Sequence, residues 1–334
     1  MERVAVIILN WNGEQLLREY LPSVLCHTPA ELGKVVVVDN HSDDKSVEVL
    51  KRDFPSVELL CFGENYGFAG GYNRAIAQIK AEYVVLLNSD VEVKAGWLQP
   101  LVETLDECPE VAAVQPKLRA WKRRNYFEYA GASGGYIDCY GFPFCRGRIL
   151  GETEQDTGQY DDEVAVFWCS GAALCVRRQV YIDCGGLDER FFAHMEEIDL
   201  CWRMQNAGYI LKVVPRSVVY HLGGGTLPMN HPRKLFLNYR NNLLMLHKNL
   251  GEGQYKRVMR MRRVLDGVAR FIFLLRGQFA NARSVRDAYR SFHEMKGNYP
   301  RTGGGKKPLG VYPGSILYAS FVRRVRTFSK LGWK

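Results

Sequence analysis

Apolar runs of strand length alternate with helical segments through the first 120 residues, and no other feature of the sequence constrains the fold as strongly. The strand-like runs are residues 3–10, 34–40, 57–62, 82–88 and 111–118, and the helical segments between them lie near 14–26, 43–53, 69–80 and 96–107. Strands separated by helices of this length imply right-handed crossovers and parallel pairing. We therefore predict an α/β fold in which helices flank a mostly parallel sheet.

The rest of the chain follows a different pattern. Residues 121–165 are rich in aromatics and glycines, which predicts short strands and loops over the sheet. A second set of core segments comprises residues 164–178, 195–207 and 210–221. Beyond Pro232 the pattern is helical to the end, apart from a Gly/Pro-rich interruption at 297–314.

The net charge of +9 is distributed unevenly along the chain. Residues 240–334 contain 21 lysines and arginines against four acids, so the preceding part is net negative. A basic region of this size indicates a polyanionic partner, either anionic lipid or nucleic acid. A merely solvated basic surface is the alternative.

Cysteine usage predicts a reducing compartment. The nine cysteines are scattered and form no Cys-x-x-Cys pair, so a disulfide framework is not expected and we predict a cytoplasmic protein. The apolar run at the N-terminus is too short for a signal peptide. No segment approaches the roughly 18 apolar residues that a spanning helix needs.

Polar side chains follow three of the predicted strands. Asn10 and Asn12 follow the first strand, Asp39 the second, and Asn88-Ser89-Asp90 the fourth. Ligands of open parallel sheets bind beyond the carboxyl ends of the strands. A carboxylate at that edge can accept the imide N–H of uracil or thymine. For Asp39, a helix cap or an Asx-turn is the alternative.

Two of these side chains, Asn88 and Asp90, can face one cation past the strand end. Mg²⁺ and Mn²⁺ prefer oxygen ligands and share them with phosphates. His221 ends a later strand and can also bind such metals, and the glycines at 223–225 predict a mobile or closely approached loop. For each residue taken alone, a turn or a structural role is the alternative.

The glycine-rich segment 64–76 precedes and opens a predicted helix. Gly67, Gly70 and Gly71 allow close backbone approach, and the helix N-terminus favours an anion. The spacing is not Gly-x-Gly-x-x-Gly and no Gly-Lys-Ser/Thr follows. Dinucleotide and P-loop sites are therefore not supported.

The predicted helix at 195–207 carries the candidate general base. Glu196, Glu197 and Asp199 lie in its first turn, where the macrodipole tolerates acids. Asp199 is expected to pair with Arg203 at i,i+4. One of the two glutamates is then left to face a cleft as a base. A well-charged helix start is the alternative.

In this order and spacing the motifs resemble the family 2 glycosyltransferases of the GT-A fold, in their bacterial rhamnosyltransferase-like branch. The resemblance runs from about Val4 to His247. Its carriers are VIILNWNG, VVVVDNHSDD, NYGFAGGYNRAI, LLNSDVEV, CSGAALCVRR, GGLDERFFAHMEEIDLCWR and VYHLGGGT. It implies a Rossmann-like GT-A catalytic domain over 1–235, with a nucleotide-binding half to about residue 120 and an acceptor half beyond it. A basic helical region would follow over 236–334.

The resemblance also implies roles for residues that bind the donor. Asn10 and Asn12 would line the nucleotide pocket, and Asp39 would read the pyrimidine. Asn65, Gly67 and Asn73 would approach the base, ribose and donor sugar, and Ser89 would also belong to the nucleotide and donor site.

The chemistry implied by the resemblance needs a metal ion and a base. The ligands of Mg²⁺ or Mn²⁺ would be Asn88, Asp90 and His221. Ser170 and Gly171 would border the donor sugar and the acceptor. Glu197 would deprotonate the acceptor hydroxyl.

Two positions depart from the family pattern. Asn88 replaces the first acid of an Asp-x-Asp motif, which predicts weaker metal binding rather than none. Glu197 replaces the catalytic Asp of a Glu-Asp pair, so Glu196 stays a rival for the base.

The resemblance predicts an inverting, metal-dependent transfer of one sugar from a UDP- or dTDP-sugar to a saccharide acceptor. The acceptor is expected to be polyprenyl-diphosphate-linked and to serve cell-surface polysaccharide synthesis (O-antigen, capsule or exopolysaccharide). The Gln-x-x-Arg-Trp motif of processive synthases is missing from the sequence. Two alternatives stay open: a sugar-nucleotide pyrophosphorylase, and a catalytically degenerate membrane-surface scaffold, which Asn88 motivates.

Residues 255–276 combine an apolar helical stripe with basic residues elsewhere around the helix. The stripe is Val258, Met261, Leu265, Val268, Ile272 and Leu275, and the basic residues are Lys256, Arg260, Arg263 and Arg270. This pattern is typical of an interfacial helix beside anionic lipid. A core helix docked on the catalytic region is the alternative.

The lipid-linked acceptor and the basic helix together predict a peripheral location at the inner face of the cytoplasmic membrane. The segment 321–334 is a candidate second contact with lipid. Nucleic acid is not an expected partner, because no recognised binding module accompanies the charge.

Overall fold

The fold is known from a computed structural model, which describes residues 2–223, 231–305 and 307–333. Apart from Gly223, the predicted glycine loop at 223–225 lies outside these residues. Within them the strands are β1 (Glu2–Asn10), β2 (Gly33–Asp39), β3 (Glu58–Cys61), β4 (Ala81–Asn88), β5 (Val91–Val93), β6 (Val111–Ala120), β7 (Arg123–Phe127), β8 (Gly135–Asp138), β9 (Pro143–Cys145), β10 (Arg148–Ile149), β11 (Glu152–Thr153), β12 (Val164–Ala165), β13 (Ala173–Arg177), β14 (Ile210–His221) and β15 (Val311–Tyr312).

Helices connect most of these strands and make up much of the last hundred residues. The α-helices are α1 (Glu14–His27), α2 (Ser46–Asp53), α3 (Gly67–Gln78), α4 (Gln99–Glu107), α5 (Arg178–Asp183), α6 (Glu196–Asn206), α7 (Pro232–Asn249), α8 (Glu252–Leu275), α9 (Phe279–Met295) and α10 (Ile316–Phe321). None of the described helices is both long enough and apolar enough to cross a bilayer.

The main sheet contains ten strands, eight of them in the order β12-β14-β6-β13-β4-β1-β2-β3, while β5 pairs with β14 and β7 with β6. Strands β4, β1, β2 and β3 are parallel neighbours, as the alternating pattern predicts. Strand β13 is antiparallel to β4 on one side and to β6 on the other, so β6 runs in the same direction as β4. The prediction of a mostly parallel sheet flanked by helices is confirmed: β13 is a reversed strand inside the sheet, and the short strands β5, β7 and β12 are also antiparallel to their neighbours.

The sheet is buried on both faces because alternate side chains of its strands enter two separate cores. In β1, Ala5 and Ile7 face a core shared with α3, α6 and α7, whereas Val4, Val6 and Ile8 face a core shared with α1 and α4. Long apolar runs such as the four valines of β2 are typical of strands buried in this way. The second predicted core set, at 164–178, joins this sheet through β12 and β13 rather than forming its own layer.

A smaller five-stranded sheet has the order β11-β10-β9-β8-β15, and residues 135–153 contribute four of its strands. Its edge strand β15 comes from the C-terminal region, which the sequence pattern predicts as helical apart from a loop. Phe328 and Trp333 pack against Tyr136 of this sheet. The end of the chain is therefore partly docked on the body, although Phe321 and Val322 are exposed.

The C-terminal helices share a core with the main sheet. Leu243, Leu244 and Leu246 of α7 belong to the same buried cluster as residues of β1 and β4. The predicted boundary near residue 235 falls inside α7, and the division into two regions stays a prediction.

The buried face of helix α8 is not the apolar stripe that the sequence predicts. Val258 and Met259 are buried with Arg262 and Asp266, while Leu265 is half-buried. The helix is docked on the body, as the alternative interpretation expected. Its opposite face is exposed, and contact with lipid stays a prediction.

Candidate active site

The carboxyl edge of the sheet brings most of the predicted site residues together. Strand β4 ends there at Asn88, and the reversed strand β13 begins there at Ala173, two residues after Gly171. The backbone N–H of Asn88 donates to the carbonyl of Ala172 at 3.0 Å. The reversal of β13 thus joins a loop from the middle of the chain to the end of β4.

The three predicted metal ligands meet at His221. Its Nε2 atom lies 3.1 Å from Asp90 Oδ1 and 3.4 Å from Asn88 Nδ2. Pairing of β14 with β5 and β6 holds His221 opposite Val91 and Ala120, which fixes its position at the edge. The backbone N–H of Gly223 donates to Asp90 Oδ2 at 3.2 Å.

The charges in this cluster stabilise one another. Burial alone would lower the pKa of His221, but the charge of Glu128 and the hydrogen bond to Asp90 raise this pKa to about 10. Burial acts against ionisation of Asp90, yet the bond to His221 keeps the pKa of Asp90 below its usual value. Both pKa shifts favour an imidazolium paired with the Asp90 carboxylate.

Glu128, which no sequence pattern indicated, joins this cluster in the structure. Its Oε1 atom lies 3.3 Å from His221 Nδ1, and its carboxylate is buried. The backbone N–H of Ala130 donates to the other carboxylate oxygen. A carboxylate behind a metal-binding histidine orients the ring and raises its basicity. No motif marks such a residue, because it lies in a loop after β7.

The side chains around His221 fit a divalent cation. They comprise one carboxylate, one imidazole nitrogen and one amide, whose oxygen can replace its nitrogen by a flip of the side chain. This mixture of oxygen and imidazole donors suits an ion such as Mn²⁺. No cluster of three or more His, Cys, Asp or Glu side chains suited to a metal occurs in the part of the chain that the structure describes. The candidate site differs because Asn88 is its third member.

The predicted nucleotide residues on β1 and β2 bond to one another. Asn10 Nδ2 donates to Asp39 Oδ1 at 3.0 Å, and Ser42 donates to Asp39 through both its hydroxyl and its backbone N–H. Asn12 has a left-handed backbone (φ 51°), and its Oδ1 accepts from the N–H of Asp43 at 2.7 Å. Asp39 therefore organises the turn after β2, as the Asx-turn alternative expects, and its contact with a pyrimidine stays a prediction.

A second pair of asparagines joins this turn to the glycine-rich segment. Asn40 Nδ2 donates to Asn65 Oδ1 at 2.9 Å, and the N–H of Gly67 donates to the same oxygen at 2.8 Å. Gly67 has φ 68°, a conformation that glycine adopts without strain. Helix α3 begins at this glycine, so its N-terminus opens at the carboxyl edge.

Asn73 and Ser89, which are predicted to bind the sugar donor, lie in different surroundings. Asn73 is held by the segment before α6, since it donates to the carbonyl of Leu187 at 2.8 Å and accepts from the hydroxyl of Tyr181 at 2.7 Å. Ser89 is half-buried in the turn between β4 and β5. The role of either residue at the donor sugar stays a prediction.

The two candidate bases at the start of α6 have different exposure. Glu196 is buried, and its Oε2 has no hydrogen-bond partner among the described residues. Glu197 is partly exposed, and a Cβ atom placed on Gly171 would lie 3.7 Å from the Cβ of Glu197. Burial raises the pKa of both carboxyls, and the charge of Glu197 raises that of Glu196 further.

Asp199 is not available as a base. It lies fully buried, where Arg203 and Lys248 both donate to its Oδ2 and Asn249 donates to its Oδ1. The predicted pair with Arg203 is confirmed. The additional partners come from α7, which the sequence did not connect to this helix.

A buried asparagine of α7 holds the segment that leads into α6. Asn241 Nδ2 lies 2.9 Å from the carbonyl oxygen of Phe191 and 2.8 Å from those of Ala193 and His194. In this segment Phe192, His194 and Met195 have positive φ angles of 70–74°. Such a backbone is strained for non-glycine residues. The Asn241 amide thus stabilises a strained approach to the two glutamates.

Comparison with known proteins shows which family has this arrangement. The family model described as Glycosyl transferase family 2 matches residues 5–174, just over half of the chain. The N-acetylglucosaminyl-diphospho-decaprenol L-rhamnosyltransferase of Mycobacterium tuberculosis is 27% identical over 230 residues, which cover 65% of this chain and 75% of that protein. Rhamnosyltransferase WbbL of Escherichia coli is 24% identical over 225 residues, covering 65% and 83%.

Solved structures agree on the fold. GalNAc-T7 crystallised with UDP, GalNAc and Mn²⁺ aligns with a TM-score of 0.59 at 17% identity, covering 77% of this chain and 49% of that one. A mannosyltransferase from Pyrobaculum calidifontis, in complex with GDP-Man and Mn²⁺, aligns with a TM-score of 0.52 at 15% identity, covering 87% and 75%. The chain belongs to glycosyltransferase family 2 and is a GT-A-fold glycosyltransferase of the rhamnosyltransferase-like branch.

Proposed function

We propose that the protein transfers one sugar, with inversion, from a UDP- or dTDP-sugar to a polyprenyl-diphosphate-linked saccharide during cell-surface polysaccharide synthesis. The observation that carries this proposal is the meeting of Asn88, Asp90 and His221 at the sheet edge from which β13 starts, with Gly171 just before β13 lying beside Glu197 of α6. The rhamnosyltransferase relatives make L-rhamnose the first sugar to test and a lipid-linked N-acetylglucosamine the first acceptor. The site of action would be the inner face of the cytoplasmic membrane.

The residues of the site are proposed to have two roles, stabilising the charge of the leaving group and accepting a proton. A divalent cation held by Asn88, Asp90 and His221 would neutralise charge on the leaving diphosphate. Glu197, which lies beside Gly171, would take the proton of the attacking hydroxyl. The hydroxyl oxygen would then bond to C1 from the side opposite the nucleotide while the bond between C1 and the diphosphate oxygen breaks, which releases the nucleoside diphosphate and inverts the configuration at that carbon.

The test is a transfer assay with the full chain. UDP- and dTDP-sugars, including dTDP-L-rhamnose, are incubated with a lipid-linked acceptor in Mn²⁺, in Mg²⁺ and in EDTA. We expect product with one nucleotide class, loss of activity in EDTA, and an anomeric configuration by NMR opposite to that of the donor. Thermal shift with each nucleotide, with and without Mn²⁺, measures donor binding independently of turnover, because a ligand stabilises the state that binds it.

The same material distinguishes the alternatives. Release of pyrophosphate from a nucleoside triphosphate and a sugar phosphate would favour the pyrophosphorylase. Donor binding that never leads to transfer or hydrolysis in Mn²⁺ would favour the scaffold. Either result contradicts the proposal.

A further inference from the structure

Helix α8 has a second apolar face that nothing in the described structure covers. The first face carries Val258 and Met259 and packs on the body. The second face follows helical spacing and consists of Met261 (37% exposed), Val264 (56%), Val268 (52%), Phe271 (58%), Ile272 (40%) and Leu275 (72%). We call these six residues the exposed stripe. Contiguous apolar surface of this kind on a soluble domain indicates a partner.

Cations border the exposed stripe without carboxylates to pair with them. Both acids of α8 are already engaged, because Asp266 pairs with Arg262 inside the protein and Glu252 pairs with Lys256 and Arg301. The exposed arginines of the helix and its end have no carboxylate within 4 Å among the described residues; they are Arg257, Arg260, Arg263, Arg270 and Arg276. The partner is therefore expected to carry negative charge.

A hollow at the N-terminal end of the exposed stripe combines both properties. It measures about 300 Å³, and its walls are Tyr140, Arg257, Arg260, Met261 and Val264. Two guanidinium groups beside apolar side chains suit a phosphate that is attached to hydrocarbon.

Beyond the other end of the exposed stripe, the chain leads through α9 to the segment before the candidate bases. Helix α9 follows α8 after a short turn, and its Ser284 hydroxyl donates to the carbonyl of Pro232, the first residue of α7, at 2.9 Å. The neighbouring Arg233 lies over the ring of Phe192, 5.1 Å from its centroid. Phe192 is exposed and precedes the two candidate bases by only a few residues.

We propose that the exposed stripe rests in the interfacial region of an anionic bilayer, with the flanking arginines at the lipid phosphates. An interfacial helix has this arrangement of one apolar face and a basic border. A second copy of the chain is a poorer partner, because a symmetric contact would bring the same unpaired arginines face to face. The inference rests on the proposed function for its purpose, since a membrane-bound catalytic edge meets a lipid-linked acceptor directly.

Vesicle binding by the full chain tests the inference. Wild-type protein is mixed with phosphatidylcholine vesicles with and without phosphatidylglycerol, at low and high salt, and the bound fraction is measured by flotation. The variant Val268→Glu/Ile272→Glu is expected to bind anionic vesicles about tenfold or more weakly, because it removes apolar contact and adds repulsion. Ile182→Glu is the matched control, since Ile182 is also a helical isoleucine with 40% exposure.

A second variant, Arg263→Glu/Arg270→Glu, leaves the exposed stripe intact. It should also weaken binding and reduce the dependence on salt, because fewer cations then meet the lipid phosphates. Thermal melting of all variants checks that the fold is kept.

The outcomes separate clearly. Binding that requires phosphatidylglycerol, and that only the two α8 variants lose, supports the inference. The inference is overturned if wild-type protein does not bind anionic vesicles, if it binds neutral vesicles equally well, or if Ile182→Glu weakens vesicle binding as much as the α8 variants do. It is also overturned, in favour of a second copy, if the protein binds no vesicles but forms a dimer that the Val268→Glu/Ile272→Glu variant dissociates. Sugar transfer to a water-soluble acceptor is measured in parallel: vesicle binding without transfer contradicts only the proposed function, and transfer without vesicle binding contradicts only this inference.

Discussion

At the scale of single residues, the polar side chains at the carboxyl edge form hydrogen bonds mainly with one another. Asp39 is held by Asn10 and Ser42, and Asn65 is held by Asn40. Such a network fixes the shape of a site before a ligand arrives. The candidate metal site around His221 adds charge to this fixed shape, because Asp90 and Glu128 lie 3.1 and 3.3 Å from the two nitrogens of the imidazole ring.

Replacing Asn88 by Asp tests the charge of that cluster. Asn88→Asp adds a second carboxylate next to His221 Nε2, so we expect Mn²⁺ to bind about tenfold more tightly, or about 1.4 kcal/mol. Isothermal titration calorimetry with Mn²⁺ measures the change. Ser89→Asp is the control, because it adds the same charge one residue away. Equal gains in both variants would mean that Asn88 is not a ligand.

Substitutions at the two glutamates identify the base. Glu197→Gln should lower kcat by about 10²–10⁴-fold, because a positioned general base contributes this much. Nucleotide binding, measured by thermal shift, should be unchanged. Glu196→Gln is the matched variant, and a larger loss of kcat there would transfer the role to Glu196.

The raised pKa of Glu197 predicts the pH dependence of transfer. A base acts only when deprotonated, so the rate falls as pH drops through the raised pKa. The acid limb of kcat against pH should therefore lie above the ordinary range of a glutamate, near 4.3. A limb at the ordinary value would show that the active carboxyl is neither of these two glutamates, because the pKa of each is raised.

At the scale of elements, the sequence predicted the parallel strands well and the reversed ones poorly. Runs such as residues 34–40 are long, apolar and bounded by helices, which leaves little choice of element. Strand β13 has only five residues and is buried on both faces, so its pattern contains no information about direction. The sequence analysis also missed Glu128 and Asn241, because both act through contacts with distant segments and such contacts produce no local sequence pattern.

The contact between α7 and the segment before α6 should affect catalysis more than donor binding. Asn241→Ala removes the bonds to the carbonyls around His194, so the glutamates lose their position and kcat should fall about tenfold to hundredfold. The KM for the donor should change little. Steady-state kinetics separates the two parameters.

Asn242→Ala provides the control for this prediction. Asn242 is also buried in α7, but it donates to the carbonyl of Gly141, away from the glutamates. Its loss should lower the melting temperature without a comparable fall in kcat. If both variants lose kcat equally, the role of Asn241 is only structural.

At the scale of the whole molecule, the basic C-terminal region is locked into the acidic body by buried charge. Lys248 of α7 donates to Asp188 and to Asp199, both at 2.7 Å. The uneven charge along the chain can be counted from the sequence, but the buried ion pairs of Lys248 with Asp188 and Asp199 cannot be predicted from it. These pairs, which we call the interlock, form because the fold buries this particular lysine.

Removing the buried cation should destabilise the protein strongly. Lys248→Met leaves Asp199 with less compensation in a buried position, which typically costs about 3–5 kcal/mol. Lys256→Met is the control, because Lys256 is 72% exposed in its pair with Glu252 and such pairs contribute about 0–1 kcal/mol. Urea unfolding of both variants measures the difference. Similar losses would show that the interlock is not stabilising.

The reversed strand β13 has a consequence for how proteins of this architecture diversify. Strand β6 ends at the carboxyl edge and β13 starts there, so the whole stretch between them departs from and returns to one rim of the sheet. Its middle part, between Glu128 near one end and Ser170 near the other, can lengthen, shrink or change its surface while these two residues keep their places at the rim. Since we propose that the acceptor binds on this side, evolution could in this way exchange the acceptor and conserve the residues proposed to handle the leaving group.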